Sequence, residues 1–299
     1  MINLYFYRPQ GGTNFGDELN ASLIPSLFNI EITYTQDISK CNFLSIGSIL
    51  QMLEKRRSDA VKNDQIISVW GSGFMTPVPI VPQNWLRALR IDIMQGKFKI
   101  RNHLNFYAVR GEYTKSRVIE MYGEKYNHLP IGDPGLLVSR YYNKDIMKKH
   151  RYGFIPHLTD INTETSKEIM SRYEDIVFID FREPVDLVLE KMLSCETIIS
   201  SAMHGLVVAD SLGIPNMWLK ISDNIGNRRP EYYNYKFYDY YSALNLGEKD
   251  VVPFEAKHKQ LPIHLDTFIK ENYKVNEGLV RKVQDHLIKA FTDNVSVSL

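Results

Sequence analysis

A chain of 299 residues, 44% hydrophobic and 24% charged, has the composition of an ordinary globular protein and the length for two domains of about 150 residues each. Its formal net charge of +1 supplies no global field toward nucleic acid or an acidic membrane, and no run of about eighteen apolar residues is present to span a bilayer. The two cysteines, Cys41 and Cys195, fit neither a disulfide framework nor a metal site and read as buried apolar residues in a reducing cytoplasm.

The first strand is expected over Ile2–Tyr7, because MINLYFYRPQGG has an apolar stretch too short for a secretion signal and carries Arg8 and Pro9. It leads into Gly11-Gly12-Thr13-Asn14-Phe15-Gly16-Asp17, where glycines admit close backbone approach to a ligand and Asn14 and Asp17 supply polar groups. The glycine spacing is not that of a dinucleotide fingerprint. Asp17 opens a helix running to Leu27 and reads first as its N-cap, ahead of a catalytic group. Strands Phe43–Ile46 and Ile66–Trp70 follow. The second ends in Trp70-Gly71-Ser72-Gly73-Phe74, a turn in which Gly73 exposes backbone without forming a nucleophile elbow. Strand Asn105–Val109 ends in Arg110 as helix Gly111–Tyr122 begins. That places a planar cationic fork at the rim of a crevice, unless Glu112 or another local acid pairs with it. In Leu129–Gly135, Asp133 is held in a turn between Gly132 and Pro134, as a base or as a turn-former.

The polar, basic stretch Tyr141–Arg151 marks a boundary, giving an N-terminal domain 1–145 and a C-terminal domain 146–299. Strand Tyr152–Ile155 ends at Pro156 and His157, followed by helix Glu164–Arg172, strand Ile176–Ile179 and helix Pro184–Leu193. The most informative segment comes next. Strand Thr197–Ile199 ends in Ser200 and Ser201, His204 follows, helix Gly205–Leu212 stops at Gly213, and strand Asn216–Leu219 resumes. Ser200, Ser201 and His204 thus lie outside the carboxyl end of a strand, at a helix N-terminus suited to phosphate or carboxylate. A serine cap beside a packed histidine is the plainer alternative. His157 and His204 end different strands of one sheet and are placed to line one crevice, with side chains able to move protons near neutrality. In Ser222–Leu246, Arg228 and Arg229 precede the tyrosine-rich EYYNYKFYDYYSAL, which contains Lys236. This is either a helix packing its tyrosines on the domain or a wall that stacks a sugar and grips an anion. A last helix, Asn276–Phe291, has one apolar face. The alternation of strands and helices predicts an α/β protein with parallel sheets covered on both faces.

Seven of these segments, in order, resemble the polysaccharide pyruvyl transferase family: NFGDELN (Asn14–Asn20), GSG (Gly71–Gly73), VRGEYTKS (Val109–Ser116), GDPG (Gly132–Gly135), IPH (Ile155–His157), SSAMHGLVVADSLGIP (Ser200–Pro215) and YKFYDYYSAL (Tyr235–Leu244). The resemblance covers nearly the whole chain, and the histidine–glycine segment is its most specific part. It implies two Rossmann-like domains facing each other across a cleft, as in GT-B glycosyltransferases. The N-terminal domain would take the acceptor and the C-terminal domain the donor, with the helix 276–291 packing back toward the N-terminal side. It implies transfer of the pyruvyl group of phosphoenolpyruvate to a sugar of a surface polysaccharide, such as a capsule or exopolysaccharide, or to its lipid-linked precursor. A ketal forms and phosphate is released.

The expected partners are therefore phosphoenolpyruvate and a saccharide or lipid-linked saccharide, with no nucleic acid, no metal and no cofactor. The expected location is the cytoplasm, at the inner face of the membrane through the acceptor. Many members carry arginine two residues before the histidine, in an R-L-H-G pattern; here that position is Ala202, and His157, Arg110, Arg228 and Lys236 are the candidates to supply the cation. The resulting site has His204, Asp133 and Asp17 as catalytic groups, with Asn14, Gly73, Arg110, His157, Ser200, Ser201, Gly205, Arg228 and Lys236 binding substrate. Two other readings fit the same pattern: a nucleotide-sugar glycosyltransferase, and a non-catalytic subunit of a polysaccharide assembly complex, which Ala202 favours.

Overall fold

A computed structural model describes residues 1–8, 12–50, 65–77, 103–221, 230–256 and 265–295. The first half contains β1 (Ile2–Tyr5), α1 (Phe15–Phe28), β2 (Ile32–Thr35), β3 (Phe43–Leu44), β4 (Ile66–Trp70), β5 (His103–Ala108) and α2 (Glu112–Tyr122). A 3-10 turn at Pro134–Leu137 and the short α3 (Val138–Tyr141) lead out of it. The second half contains β6 (His150–Ile155), α4 (Glu164–Arg172), β7 (Ile176–Phe178), α5 (Val185–Leu193), β8 (Cys195–Ser200), α6 (Met203–Ser211) and β9 (Asn216–Lys220). It continues with α7 (Pro230–Ser242), β10 (Phe254–Glu255), α8 (Leu265–Asn272) and α9 (Glu277–Asn294).

Among the described residues all strand pairings are parallel, and the two sheets share one topology, β2-β1-β3-β4-β5 and β7-β6-β8-β9-β10. In each sheet the chain winds one way from the first strand to the second and the other way to the third. A crevice therefore opens outside the carboxyl ends of β1 and β3, and another outside those of β6 and β8. The sequence shows no repeat of fixed period; the duplication is one of topology alone.

Burial explains the strand composition. β9 is buried along its whole length, as expected for a parallel strand covered on both faces. Successive residues serve opposite faces: on β8, Ile198 joins the main core with Leu206 and Leu189, whereas Ile199 joins a smaller cluster with Phe154, Leu219 and Ile269. The main core runs without a break from the first sheet (Leu4, Val69) to the inner face of the second.

Two second-half helices pack on the first half. Phe291 of α9 stacks on Phe28 with ring centroids 3.9 Å apart, and Trp70 donates its indole N–H to the Leu287 carbonyl at 2.9 Å. α7 lies across α2, where Asp239 accepts the Thr114 N–H at 2.8 Å and Ser242 Oγ accepts the Glu112 N–H at 2.8 Å. Two of the open N–H groups of α2 are thus satisfied by another helix.

The α/β class and the parallel sheets agree with the sequence-based expectation; several details differ. β2, α3, β10 and α8 are absent from that reading because each is short, from two to eight residues. Cys195 begins β8, and both cysteines are buried, as expected. α1 starts at Phe15, because the Asn14 carbonyl accepts the N–H groups of Asp17 and Glu18, both at 2.9 Å. The N-cap is therefore Asn14, which leaves the Asp17 carboxylate available for another role. Among the described residues, no helix is long and apolar enough to cross a membrane.

Candidate active site between two helix N-termini

The two switch-point crevices meet at the first turns of α1 and α6. The contact is close enough that residue 16 must be glycine: a Cβ there would lie 2.0 Å from His204 Nδ1. The backbone around the contact is held from both halves. The Phe15 N–H donates to the Phe181 carbonyl at 2.7 Å, the Thr13 hydroxyl donates to the Arg182 carbonyl at 2.9 Å, and the Phe15 and Phe181 rings lie 4.6 Å apart. Buried Asn20 ties α1 to the end of β3, accepting the Ile46 N–H at 2.9 Å and donating to the Ile46 carbonyl at 3.0 Å.

His204 is sandwiched at this junction. Its Nε2 points toward Asp133 Oδ2 at 3.7 Å, and both atoms are buried and make no hydrogen bond. The Asp133 side chain is fully buried, and its other oxygen accepts the Gly135 N–H at 2.9 Å, capping the 3-10 turn. Asp133 is thus both turn-former and neighbour of the histidine.

Asp17 stands on the first-half side. Asn14 donates to its Oδ2 at 2.8 Å. Burial raises the Asp17 carboxyl from its ordinary 3.8 to about 6, against the lowering pull of His204, of the Asn14 hydrogen bond and of Lys236. Lys236 on α7 is therefore near enough for its charge to act here, and its ammonium lies 5.2 Å from the Phe237 ring centre and 5.8 Å from that of Tyr233. Tyr233 borders the same corner, donating its hydroxyl to the Ser201 carbonyl at 3.3 Å.

The structure brings Asn14, Asp17, Asp133 and His204 together, with the charge of Lys236 acting on Asp17 from α7. His157 lies beside the β6–β8 crevice, partly exposed, with its N–H donated to Ser201 Oγ at 2.8 Å and its ring Nδ1 2.8 Å from the Thr159 hydroxyl. Other expected binding residues have structural positions. Arg110 is not at the rim. It is fully buried, and its guanidinium donates to Asp239 at 2.8 Å, the Ser48 hydroxyl at 2.7 Å and the Phe74 carbonyl at 2.5 Å. Gly73 gives that guanidinium room, since a Cβ there would lie 2.4 Å from its central carbon.

Ser200 and Ser201 are likewise fully buried. Ser200 Oγ reaches the Ile155 and Ala202 carbonyls, both at 2.9 Å, and Ser201 Oγ donates to Asp160 Oδ2 at 2.6 Å. Their hydroxyls are committed to partners that shape the turn into α6. Gly205 is required because a Cβ would lie 2.3 Å from Ser200 Oγ. The tyrosine-rich segment is mostly core: Tyr235, Phe237, Tyr240 and Tyr241 are buried, and Phe237 stacks on Trp218 at 4.2 Å. Arg228 and Arg229 lie outside the described residues.

Sequence reasoning missed Asp239, Asn20 and Asp160. Each falls inside or just beyond a segment noted for other residues, and each is recognisable only once its distant partner is known.

A family model described as polysaccharide pyruvyl transferase matches residues 95–224, a span that includes Asp133 and His204. The chain is also similar to "Uncharacterized protein L143" of Acanthamoeba polyphaga mimivirus, 30% identical over 279 residues that cover 92% of this chain and 82% of that protein.

Proposed function

Because the chain belongs to the polysaccharide pyruvyl transferase family, we propose that it transfers the pyruvyl group of phosphoenolpyruvate to two hydroxyls of a saccharide, forming a ketal and releasing phosphate. The observation that carries this reading is the meeting of two helix N-termini around His204, Asp17 and Lys236. Helix N-termini and a nearby ammonium favour a ligand bearing both phosphate and carboxylate. The halves are read as a GT-B-like pair, with donor on the α6 side and acceptor on the α1 side.

His204 delivers a proton to the donor's methylene carbon, which leaves cationic character at the carbon bearing the phosphate. An acceptor hydroxyl attacks that carbon and gives its proton to Asp17, whose raised pKa suits exchange near neutrality. The carbon–oxygen bond to phosphate then breaks. A second hydroxyl closes the ketal, and its proton leaves with the phosphate. Lys236 and the first turn of α6 hold the anionic groups, the work an arginine at position 202 would otherwise share. A lipid-linked acceptor would bring the protein to a membrane surface.

The test is incubation with phosphoenolpyruvate and free or lipid-linked saccharides, read by phosphate release and by mass analysis of the acceptor. Pyruvylated product with equimolar phosphate is expected. Stabilisation by uridine diphosphate but not by phosphoenolpyruvate, with no product, would overturn the reading in favour of a nucleotide-sugar enzyme.

A further inference from the structure

We propose that Asp133 is a positioning residue that acts through His204, holding the proton on Nε2 so that Nδ1 is the nitrogen exchanging protons with substrate. The inference rests on the proton-transfer role given to His204 above, and it assigns the two ring nitrogens different tasks. Asp133 Oδ2 and His204 Nε2 are both buried, both without a hydrogen bond, and 3.7 Å apart. A buried carboxylate oxygen and a buried ring nitrogen are each costly when unpaired. Facing one another, they satisfy each other once the ring carries its proton on that side. A neutral imidazole has one N–H and one lone pair, so a carboxylate on Nε2 leaves the lone pair on Nδ1, which takes up the proton that the ring then delivers to the donor.

The surroundings keep this arrangement fixed. Asp133 cannot swing away, because Oδ1 is held by the Gly135 N–H at 2.9 Å, and a Cβ on Gly135 would come within 3.1 Å of that oxygen. Nδ1 lies on the other side of the ring, over Gly16 in the first turn of α1, where the absence of a side chain makes room for it. The glycine of NFGDELN and the aspartate of GDPG then serve one ring from opposite sides. The site thus carries a fixed carboxylate against Nε2 and a second one, Asp17, near enough on the α1 side for the charge of the ring to act on it.

The tautomer is measurable without turnover. Long-range proton–nitrogen NMR spectra of protein labelled with 15N-histidine, with the His204 signals identified by their loss in His204→Gln, are expected to show the Nε2–H form. In Asp133→Asn the amide keeps an oxygen for Gly135 and presents N–H groups to Nε2. His204 is then expected to move to the Nδ1–H form, and turnover to fall on the order of a hundredfold or more with an altered pH profile. An Nδ1–H form in the wild-type protein overturns the proposal, even if the Asn variant does not fold. So does an Asn variant that folds and leaves tautomer and pH profile unchanged. If the wild type shows Nε2–H and Asp133→Asn reverses it, but no acceptor is ever pyruvylated, the positioning by Asp133 stands and the transferase reading fails.

Discussion

Three residues at the junction make separable demands on the chain. His204→Ala removes the proposed acid, so turnover is expected to drop at least about a hundredfold; it also strands the buried Asp133 oxygen, so a lowered melting temperature is expected beside the lost activity. Gly16→Ala tests the close approach: a methyl group 2.0 Å from Nδ1 forces the ring or α1 to move, and both activity and phosphoenolpyruvate-induced stabilisation should be lost. Asp17 gives a pH signature. Its folded-state pKa is raised from 3.8 to about 6, so between those values the folded chain binds more protons than the unfolded one. The contribution of this group to stability is therefore lost as pH rises through that window. Asp17→Asn should melt a few degrees higher than wild type at pH 7.5 and lose the advantage by about pH 4, while being inactive at both. Equal melting curves across that range would show that the carboxylate is not held at a cost.

At the scale of elements, α7 binds the halves together. Arg110 and Asp239 form a fully buried pair, and Asp239 also accepts from the Thr114 N–H and hydroxyl at 2.8 and 2.6 Å. Removing one partner strands the other charge in the interior, at a cost of about 3–5 kcal/mol. Arg110→Leu is thus expected to lower the melting temperature by about 10 °C, and donor affinity only through that loss. Lys236→Met should do the reverse, weakening phosphoenolpyruvate binding by roughly tenfold or more with a nearly unchanged melting curve. Isothermal titration beside calorimetry separates the two. Local patterning made α1, α2, α6 and most strands legible, because their apolar periodicity and stop signals lie within a few residues. It placed Asn14, Asp17 and His204 at strand ends for the same reason. Arg110 was placed at the rim because its partner, Asp239, is 129 residues away, and no local pattern announces a bond across that distance. Ser200 and Ser201 stand at the strand end where the sequence puts them, but the bonds of their hydroxyls to Ile155 and Asp160 are not legible there, because those partners lie 45 and 41 residues away.

The molecule as a whole is more interleaved than two α/β units joined by a linker. One core runs through both sheets, α7 caps a first-half helix, and α9 packs Phe291 against Phe28 and Trp70. Heat is expected to unfold the two halves together. Differential scanning calorimetry should show one transition whose calorimetric and van't Hoff enthalpies agree. Two resolved transitions would show that the halves are independent and that α7 and α9 contribute little to joining them.

The return of α9 also sets the order in which the protein can be finished as it is made. Trp70, Phe28 and Phe43 emerge early, yet the helix that covers them is encoded past residue 276. At about 5–20 residues per second, a ribosome needs on the order of 10–40 s to travel from β4 to the end of α9. During that interval the first sheet presents an uncovered aromatic face to chaperones and to neighbouring nascent chains. Slower elongation would lengthen that exposure. The yield of native protein should therefore depend on translation speed and on holdase supply more steeply than its final stability suggests.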